Sequence, residues 1–292
     1  MEKFVLPMNG NDFLLFMSKR NSLTSVIAEY HSIVPMRKEK LLKTSIQDEN
    51  ESENEGDIQF ERHLYRWVKL KSKETVFGAT FVDGYEIERK YICTKSRQDV
   101  YGNFWEIVWK YKVQVIVMMD QFSDKESNQN LFPDEGCVTV CDKFKIKTLE
   151  IRVKPHYKLT LLSLTDQSGN EHKISHCQYT AWPRDNFSHQ LDAFIDFYWN
   201  VRDLCLQLEK QADKKTAPMI LQCLDGHSSS AVFCVFDICV AEFEKTGTLC
   251  VSSVLKKVRQ QKYGFMNRLE NYTLCYELLS AYVEKKLSPI TS

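Results

Sequence analysis

The sequence lacks the cysteine patterns that identify disulfide-bonded and zinc-binding proteins. Its ten cysteines include no CxxC pair, and several of them, such as Cys93 and Cys234, lie within apolar runs. This distribution predicts buried free thiols rather than a disulfide framework or a zinc site. His172, His176 and Cys177 are close in sequence, but their setting on a polar strand predicts that they lie at the surface.

The sequence also lacks an excess of charge of one sign and any long hydrophobic run. It has 39 basic and 39 acidic residues, so its net charge gives no support for binding nucleic acid or an anionic membrane. The apolar patch at residues 13–17 is shorter than a signal-peptide core, and no stretch approaches the length of a membrane-spanning helix. We therefore expect a cytoplasmic protein without a metal, a cofactor, or a membrane or nucleic-acid partner.

The spacing of apolar residues changes along the chain. Residues 11–36 have helical spacing and predict one or two helices, whereas the acidic run at 47–57 predicts a solvated loop. The continuous apolar run at 113–120 is typical of a strand buried on both faces. Residues 137–166 alternate between apolar and polar, as antiparallel strands do.

Turn signals and the second half of the chain complete the predicted order of elements. Asp83-Gly84 and Ser168-Gly169-Asn170 predict two hairpins. After residue 189 the spacing becomes helical, and it is interrupted only by an apolar strand at 219–223 before three further helical segments. This order predicts an α/β domain with a mixed, twisted central sheet flanked by helices.

A short loop after the 219–223 strand has the composition of an anion-binding catalytic loop. The strand ends at Cys223, and a helix is predicted to begin near Ser228. The free N–H groups at a helix start can hold an anion and activate a thiolate. Gly226 would let the backbone turn close to a ligand, and Ser230 would hydrogen-bond the sulfur.

The same loop lacks the charge that such a function needs. It contains no arginine or lysine to bind phosphate, and no cation is predicted near Cys223. Asp225 adds a negative charge unless its side chain points away from the anion site. On this loop alone, a buried cysteine at a strand end followed by a helix cap explains the residues equally well.

Several segments in a defined order associate the loop with a known family. They are FVDGY at 81–85, YICTK at 91–95, NFWEIVWKYKVQVIVMM at 103–119, YTAWPRDNFS at 179–188 and YGFMNRLENYTLCYELL at 263–279. With these segments the chain resembles the protein tyrosine phosphatases over residues 25–283. The resemblance implies their fold, with residues 1–24 as an N-terminal helical extension and 284–292 as a C-terminal tail.

The resemblance also identifies the loop as a vestigial phosphate loop. In the family the cysteine is followed by five residues, an arginine and then a serine or threonine. Here Ser229 stands at the arginine position and Ser230 at the hydroxyl position. The vestigial loop comprises Cys223, Asp225, Gly226, His227, Ser228, Ser229 and Ser230.

A second departure concerns the family's general acid. In active members an aspartate follows Trp-Pro and protonates the leaving tyrosine oxygen. Here Trp182-Pro183 is followed by Arg184, and Asp185 comes one residue late. Arg184 could act as a displaced cation above the loop, but a solvated loop arginine is the preferred interpretation, because exposed charges contribute little.

Two further positions differ from the family pattern. The glutamine that orients the hydrolytic water corresponds to Asn267, which is shorter. Tyr65 remains at the aromatic position that stacks on the substrate ring, but Trp67 replaces the acidic residue expected shortly after it. Like the loop departures, these changes fall at positions where the family carries out its chemistry.

The rate losses expected from these departures favour loss of catalysis. Removal of a transition-state anion clamp lowers a rate by about 10²–10³, and removal of a general acid lowers it by roughly 10²–10⁴. The prediction is therefore a catalytically inactive pseudophosphatase that binds proteins as a scaffold. Two alternatives remain open: a decoy that binds phosphotyrosine, and a residual phosphatase that uses Cys223 and Arg184.

A narrower resemblance suggests where such a protein would act. The start of the chain and its degenerate loops look like the tyrosine phosphatase-like proteins of bracoviruses, which parasitoid wasps deliver into host insects. This resemblance implies host proteins, including phosphotyrosine proteins, as partners in the cytoplasm of an infected cell. It also implies interference with immune-cell signalling.

Overall fold

A computed structural model describes residues 6–34, 66–70, 75–95, 101–119, 132–182, 191–211 and 217–288. The helices are α1 (Gly10–Met17), α2 (Ser22–Ile33), α3 (Tyr101–Lys110), α4 (Leu191–Gln211), α5 (Ser229–Thr246), α6 (Val251–Arg259) and α7 (Leu269–Leu287). The strands are β1 (Met8–Asn9), β2 (Trp67–Lys69), β3 (Thr75–Val82), β4 (Tyr91–Lys95), β5 (Val115–Met118), β6 (Val138–Cys141), β7 (Phe144–Val153), β8 (Tyr157–Thr165), β9 (Glu171–Tyr179), β10 (Met219–Cys223) and β11 (Thr248–Leu249). In this part of the chain, no helix is long and apolar enough to cross a membrane.

Nine of the strands form one mixed sheet in the order β2-β3-β4-β10-β5-β9-β8-β7-β6. The centre is parallel, because β10 pairs with β4 and β5, and β5 pairs with β9. The strands on both sides of this centre are antiparallel. The predicted α/β class, with a mixed twisted sheet flanked by helices, is confirmed.

The sheet separates two apolar cores. Helix α3 covers one face, where Trp105 is completely buried beside Ile116 and Ile220. The other face packs against α1, α2 and α4 to α7, and the first two-thirds of α5 is buried on all sides. Because β5 and β10 lie between these two layers, their residues are buried on both faces, and all of them except Gln222 are apolar or cysteine.

Both predicted hairpins are present, but one has a longer connection than its turn signal suggested. Gly169 has φ +84° in the tight turn between β8 and β9. Strands β3 and β4 also pair antiparallel, yet their connection runs from 83 to 90. The N–H of Gly84 donates to the carbonyl of Ile87 at 2.8 Å, so Asp83-Gly84 opens a wide loop rather than a two-residue turn.

The prediction that the histidine–cysteine group lies at the surface is wrong for two of its three members. His176 is 2% exposed and Cys177 is completely buried, because β9 lies inside the sheet between β5 and β8. The His176 ring stacks on Phe132, with ring centroids 3.9 Å apart. His172 is partly buried, and its Nε2 lies 2.8 Å from the carbonyl oxygen of Val113.

The predicted N-terminal helices are confirmed as α1 and α2. Phe13 of α1 is completely buried in the same core as α5 and α7. Glu29 of α2 accepts hydrogen bonds from the hydroxyls of Tyr272 and Tyr276 on α7. Both helices therefore pack into the main core, while the acidic run at 47–57 lies outside the described residues.

Candidate functional site

The cysteine loop lies where the parallel strands end. The carboxyl ends of β4, β5, β9 and β10 meet at one edge of the sheet, which is where α/β proteins bind ligands. Cys223 is the last residue of β10 and is in register with Lys95 of β4. Gly226 has φ +74°, and a Cβ there would lie 3.1 Å from the Lys95 backbone nitrogen, so this position requires glycine.

The thiol of Cys223 is enclosed by the loop and the first turn of α5. The residue is completely buried, and its Sγ lies 2.9 Å from the hydroxyl oxygen of Ser230. This is the contact predicted for Ser230. On its other side the thiol donates to a carboxylate oxygen of Asp225 at 3.4 Å. A carboxylate at this distance repels the thiolate that nucleophilic attack requires.

The Asp225 side chain turns back into the loop instead of pointing away from it. Its Oδ1 accepts hydrogen bonds from the backbone N–H groups of His227 and Ser228, at 2.8 and 2.9 Å. Its Oδ2 accepts the Ser228 hydroxyl. Burial alone would raise the pKa of Asp225, but the hydrogen bonds from Ser228, His227 and Cys223 outweigh burial and lower this pKa. The carboxylate is therefore ionised at neutral pH and occupies loop N–H groups.

The other loop positions supply no positive charge. Ser229, at the position where the family signature has arginine, is 2% exposed and belongs to the first turn of α5. His227 is partly buried, and its Nδ1 has no hydrogen-bonding partner. Burial, reinforced by the nearby charge of Lys262, lowers the pKa of His227 to about 4. This imidazole is consequently neutral at physiological pH.

Lys262 brings a cation to the loop from a distant part of the sequence. This lysine follows α6, is 5% exposed, and interacts electrostatically with Cys223 and Asp225. Burial lowers the pKa of Lys262, whereas its electrostatic interactions with Cys93, Cys223 and Asp225 act in the opposite direction. The prediction that no cation lies near Cys223 is therefore wrong. A lysine at the end of an amphipathic helix gives no local signal of burial.

The other predicted site residues are only partly described. Trp182 is partly buried, with its ring 6.4 Å from that of Tyr179 at the end of β9. Asn267 is exposed and directly follows Met266, whose N–H donates to the carbonyl of His227 at 2.8 Å. Trp67 is partly buried in β2. Pro183, Arg184, Asp185 and Tyr65 lie outside the described residues.

The described residues of the site form no assembled metal centre. Within the described ranges, no three histidine, cysteine, aspartate or glutamate side chains are placed to bind a metal ion. The chemically distinctive elements are one buried thiol, one carboxylate on backbone N–H groups and one buried ammonium group.

Comparisons with known proteins agree with this architecture. A family model described as protein-tyrosine phosphatase matches residues 64–281. The chain is 41% identical over 276 residues to the probable tyrosine phosphatase protein J2 of Microplitis demolitor bracovirus, covering 93% of each chain. It is 42% identical over 205 residues to the tyrosine phosphatase-like protein J3 of the same virus, covering 70% of this chain and 82% of that protein.

A relative from a very different organism matches more distantly. The chain is 28% identical over 220 residues to the human tyrosine-protein phosphatase non-receptor type 9, covering 72% of this chain and 37% of the human protein. The family match extends from just before β2 to within α7 and includes the cysteine loop. The chain therefore belongs to the protein tyrosine phosphatase family.

Proposed function

We propose that this protein is a catalytically inactive member of its family and that it acts by binding other proteins. The observation that carries the proposal is the position of the Asp225 carboxylate. It accepts two loop N–H groups and lies against the thiol of Cys223. A phosphate monoester entering the loop would meet a negative charge where it needs donors.

The buried serine at position 229 supports the same conclusion. A serine hydroxyl cannot reproduce the bidentate contact of a guanidinium with phosphate oxygens. Removal of one preorganised anion contact lowers a rate by about 10²–10³. Repulsion of the thiolate by Asp225 adds to this loss, because the thiol is then held in its unreactive form.

The relatives support a proposed site of action. The most similar proteins described above belong to a bracovirus, so we place this protein in an infected host cell, with host proteins as partners. Interference with tyrosine-phosphorylation signalling and with immune-cell function is the corresponding biological role. A scaffold of this kind presents its outer surface rather than its former pocket.

A decoy that binds phosphotyrosine is the second candidate. The retained loop backbone and the buried ammonium of Lys262 favour it, since both could still attract an anion. The scaffold is favoured over the decoy because N–H groups needed for the phosphate already have Asp225 as their acceptor.

Turnover of a small phosphate ester tests the loss of catalysis. The purified chain and its Cys223→Ser variant are compared with para-nitrophenyl phosphate over a range of pH. We expect the two proteins to give the same background rate. A rate for the unmodified chain that disappears in Cys223→Ser would overturn the proposal and favour the residual phosphatase that uses Cys223 and Arg184.

Calorimetric titration separates the scaffold from the decoy. Phosphotyrosine peptides and their unphosphorylated counterparts are titrated into the same preparation. The scaffold predicts equal or undetectable binding of the two peptides. Binding that requires the phosphate would instead establish the decoy, in which the loop holds a phosphoprotein without cleaving it.

A further inference from the structure

The anion-binding groups of the loop already have an acceptor of their own. The donors are the N–H groups of His227 and Ser228 and the Ser228 hydroxyl, and all of them point to Asp225. An aspartate two residues after Cys223 reaches these donors without distortion of the chain, as side chains in Asx turns do. The carboxylate thus stands where a loop of this type collects an external anion.

A buried lysine, Lys262, belongs to a segment that packs against the loop. Lys262 is 5% exposed, so almost all of its side chain is withdrawn from water. Its aromatic neighbour, Phe265, has its ring centroid 6.0 Å from the ammonium nitrogen. Burial of an ammonium group is unfavourable, and a negative charge nearby offsets part of this cost.

The segment that contains Lys262 is fastened to the loop. The N–H of Met266 donates to the His227 carbonyl at 2.8 Å. A Cβ on Gly264 would lie 3.7 Å from Nδ1 of His227, an ordinary packing distance. The ammonium and the loop therefore belong to one packed unit, in which the charge of Lys262 acts on Asp225 and Cys223.

We propose that the loop is an anion site filled from within the chain, with the Asp225 carboxylate as its resident anion and Lys262 as the cation that replaces the missing arginine. External tetrahedral oxyanions, such as free phosphate or the phosphate of a monoester, bind only in competition with this carboxylate. This inference rests on the proposed function and specifies how the site is closed.

The competition is unequal for a physical reason. A group tethered two residues away has an effective concentration of millimolar or higher, whereas a free oxyanion must also pay the entropy of association. Removal of the carboxylate frees the N–H groups and leaves the loop near the positive charges of Lys262, Lys95 and Arg259, of which Lys262 acts most strongly on His227. The site should then accept an oxyanion, although without the arginine its affinity should remain modest.

The test uses four forms of the full chain: unmodified, Asp225→Ala, Asp225→Asn and Asp225→Ala/Lys262→Met. Orthophosphate, tungstate and phosphotyrosine are titrated by calorimetry at constant ionic strength, with thermal unfolding to establish that each form is folded. We expect Asp225→Ala to bind orthophosphate and tungstate at least tenfold more tightly than the unmodified chain. Asp225→Asn should gain less, because the amide oxygen still accepts the loop N–H groups.

The double variant tests the assignment of the cation. We expect Asp225→Ala/Lys262→Met to bind at least tenfold more weakly than Asp225→Ala. Equal oxyanion affinities of these two variants would show that Lys262 does not contribute to the site. A folded Asp225→Ala that binds no better than the unmodified chain would overturn the resident-anion assignment. If Asp225→Ala does not fold, Asp225→Asn takes its place: it removes the competing charge and should still bind more tightly than the unmodified chain, and no gain would overturn the assignment.

The outcomes separate this inference from the proposed function. Turnover or phosphate-dependent peptide binding by the unmodified chain contradicts the proposed function, whatever the variants do. An inert unmodified chain whose Asp225→Ala form also fails to bind oxyanions leaves the proposed function intact and removes only the internal anion. Binding of phosphotyrosine but not orthophosphate by Asp225→Ala would show that the ring, and not the loop, supplies the affinity, which also contradicts the inference.

Discussion

Two aspartates, one just before helix α5 and one within it, show how differently the loop and the core behind it hold a carboxylate. Asp225 precedes the helix and is held by N–H groups and a hydroxyl within three residues of itself. Asp237 lies two turns into the helix and is 8% exposed. It accepts hydrogen bonds from the ammonium of Lys90 at 2.7 Å and from the hydroxyls of Tyr91 and Tyr198.

The difference lies in what each carboxylate connects. The partners of Asp237 come from β4 and its preceding loop and from α4, so its hydrogen bonds join the sheet to two helices. The partners of Asp225 are local, so its hydrogen bonds shape one loop. We infer that the core aspartate contributes mainly to global stability, and that the loop aspartate contributes mainly to the properties of the site.

The largest effect is expected for Asp237→Ala. Removal of this carboxylate leaves the Lys90 ammonium and two tyrosine hydroxyls without their acceptor in a buried position. Breaking a buried ion pair in this way lowers the free energy of unfolding by about 3–5 kcal/mol. Chemical denaturation of the variant and the unmodified chain measures the difference.

Asp203→Ala provides the matched control for Asp237→Ala. Asp203 is an exposed aspartate on α4, and its replacement should change the free energy of unfolding by less than about 0.5 kcal/mol. If Asp237→Ala were as stable as Asp203→Ala, the comparison between core and loop would fail.

The next effect is a dependence of the free energy of unfolding on pH. One histidine of the core and one of the loop contribute to it. Burial lowers the pKa of His176 in the sheet to about 3 and that of His227 in the loop to about 4, from an ordinary 6.5. Because the unfolded chain binds these protons more readily, the free energy of unfolding decreases as the pH falls from about 6.5 towards 4. Each histidine contributes a slope that approaches about 1.4 kcal/mol per pH unit.

Single variants assign this slope to the two regions. His176→Phe removes the core contribution and His227→Asn removes the loop contribution, and each is followed by denaturation between pH 7 and pH 4.5. Each variant should have a shallower decrease in stability than the unmodified chain. An unchanged slope in either variant would mean that the corresponding histidine is already protonated or solvated.

A smaller effect is expected at a third carboxylate, Glu29, which resembles Asp237 because distant side chains hold it. In Tyr276→Phe one of its two tyrosine donors is lost, while Tyr272 remains. Loss of a buried hydrogen bond to a charged group lowers the free energy of unfolding by about 1.5–3 kcal/mol. Thermal unfolding of Tyr276→Phe, with the exposed Tyr263→Phe as control, measures this loss.

The smallest change in stability is expected for Asp225→Ala. Its hydrogen bonds resemble those of a helix cap, whose removal lowers stability by about 1 kcal/mol. The free energy of unfolding should therefore decrease much less than in Asp237→Ala, although the oxyanion affinity increases. A loss as large as that of Asp237→Ala would show that the loop aspartate is structural, and the distinction between the two regions would disappear.

The candidate site was only partly predictable. The cysteine, the glycine with positive φ and the contact between Ser230 and the thiol follow from a strand–loop–helix pattern, because these features depend on neighbours within a few residues. Lys262 and the burial of His176 could not be predicted in the same way. Both depend on which segments pack together across the fold, and single-sequence periodicity carries no such information.

The sequence by itself determined the class of the fold. Continuous apolar runs predicted β5 and β10 as buried strands, alternation predicted the antiparallel strands β6 to β8, and helical spacing predicted α4 to α7. These patterns are local consequences of backbone geometry and of which faces are buried. The tertiary structure alone decided that the Asp225 side chain turns into the loop and that the segment of Lys262 packs against the loop. Side-chain direction and the pairing of distant charges follow from packing, which is settled only when the whole chain is folded.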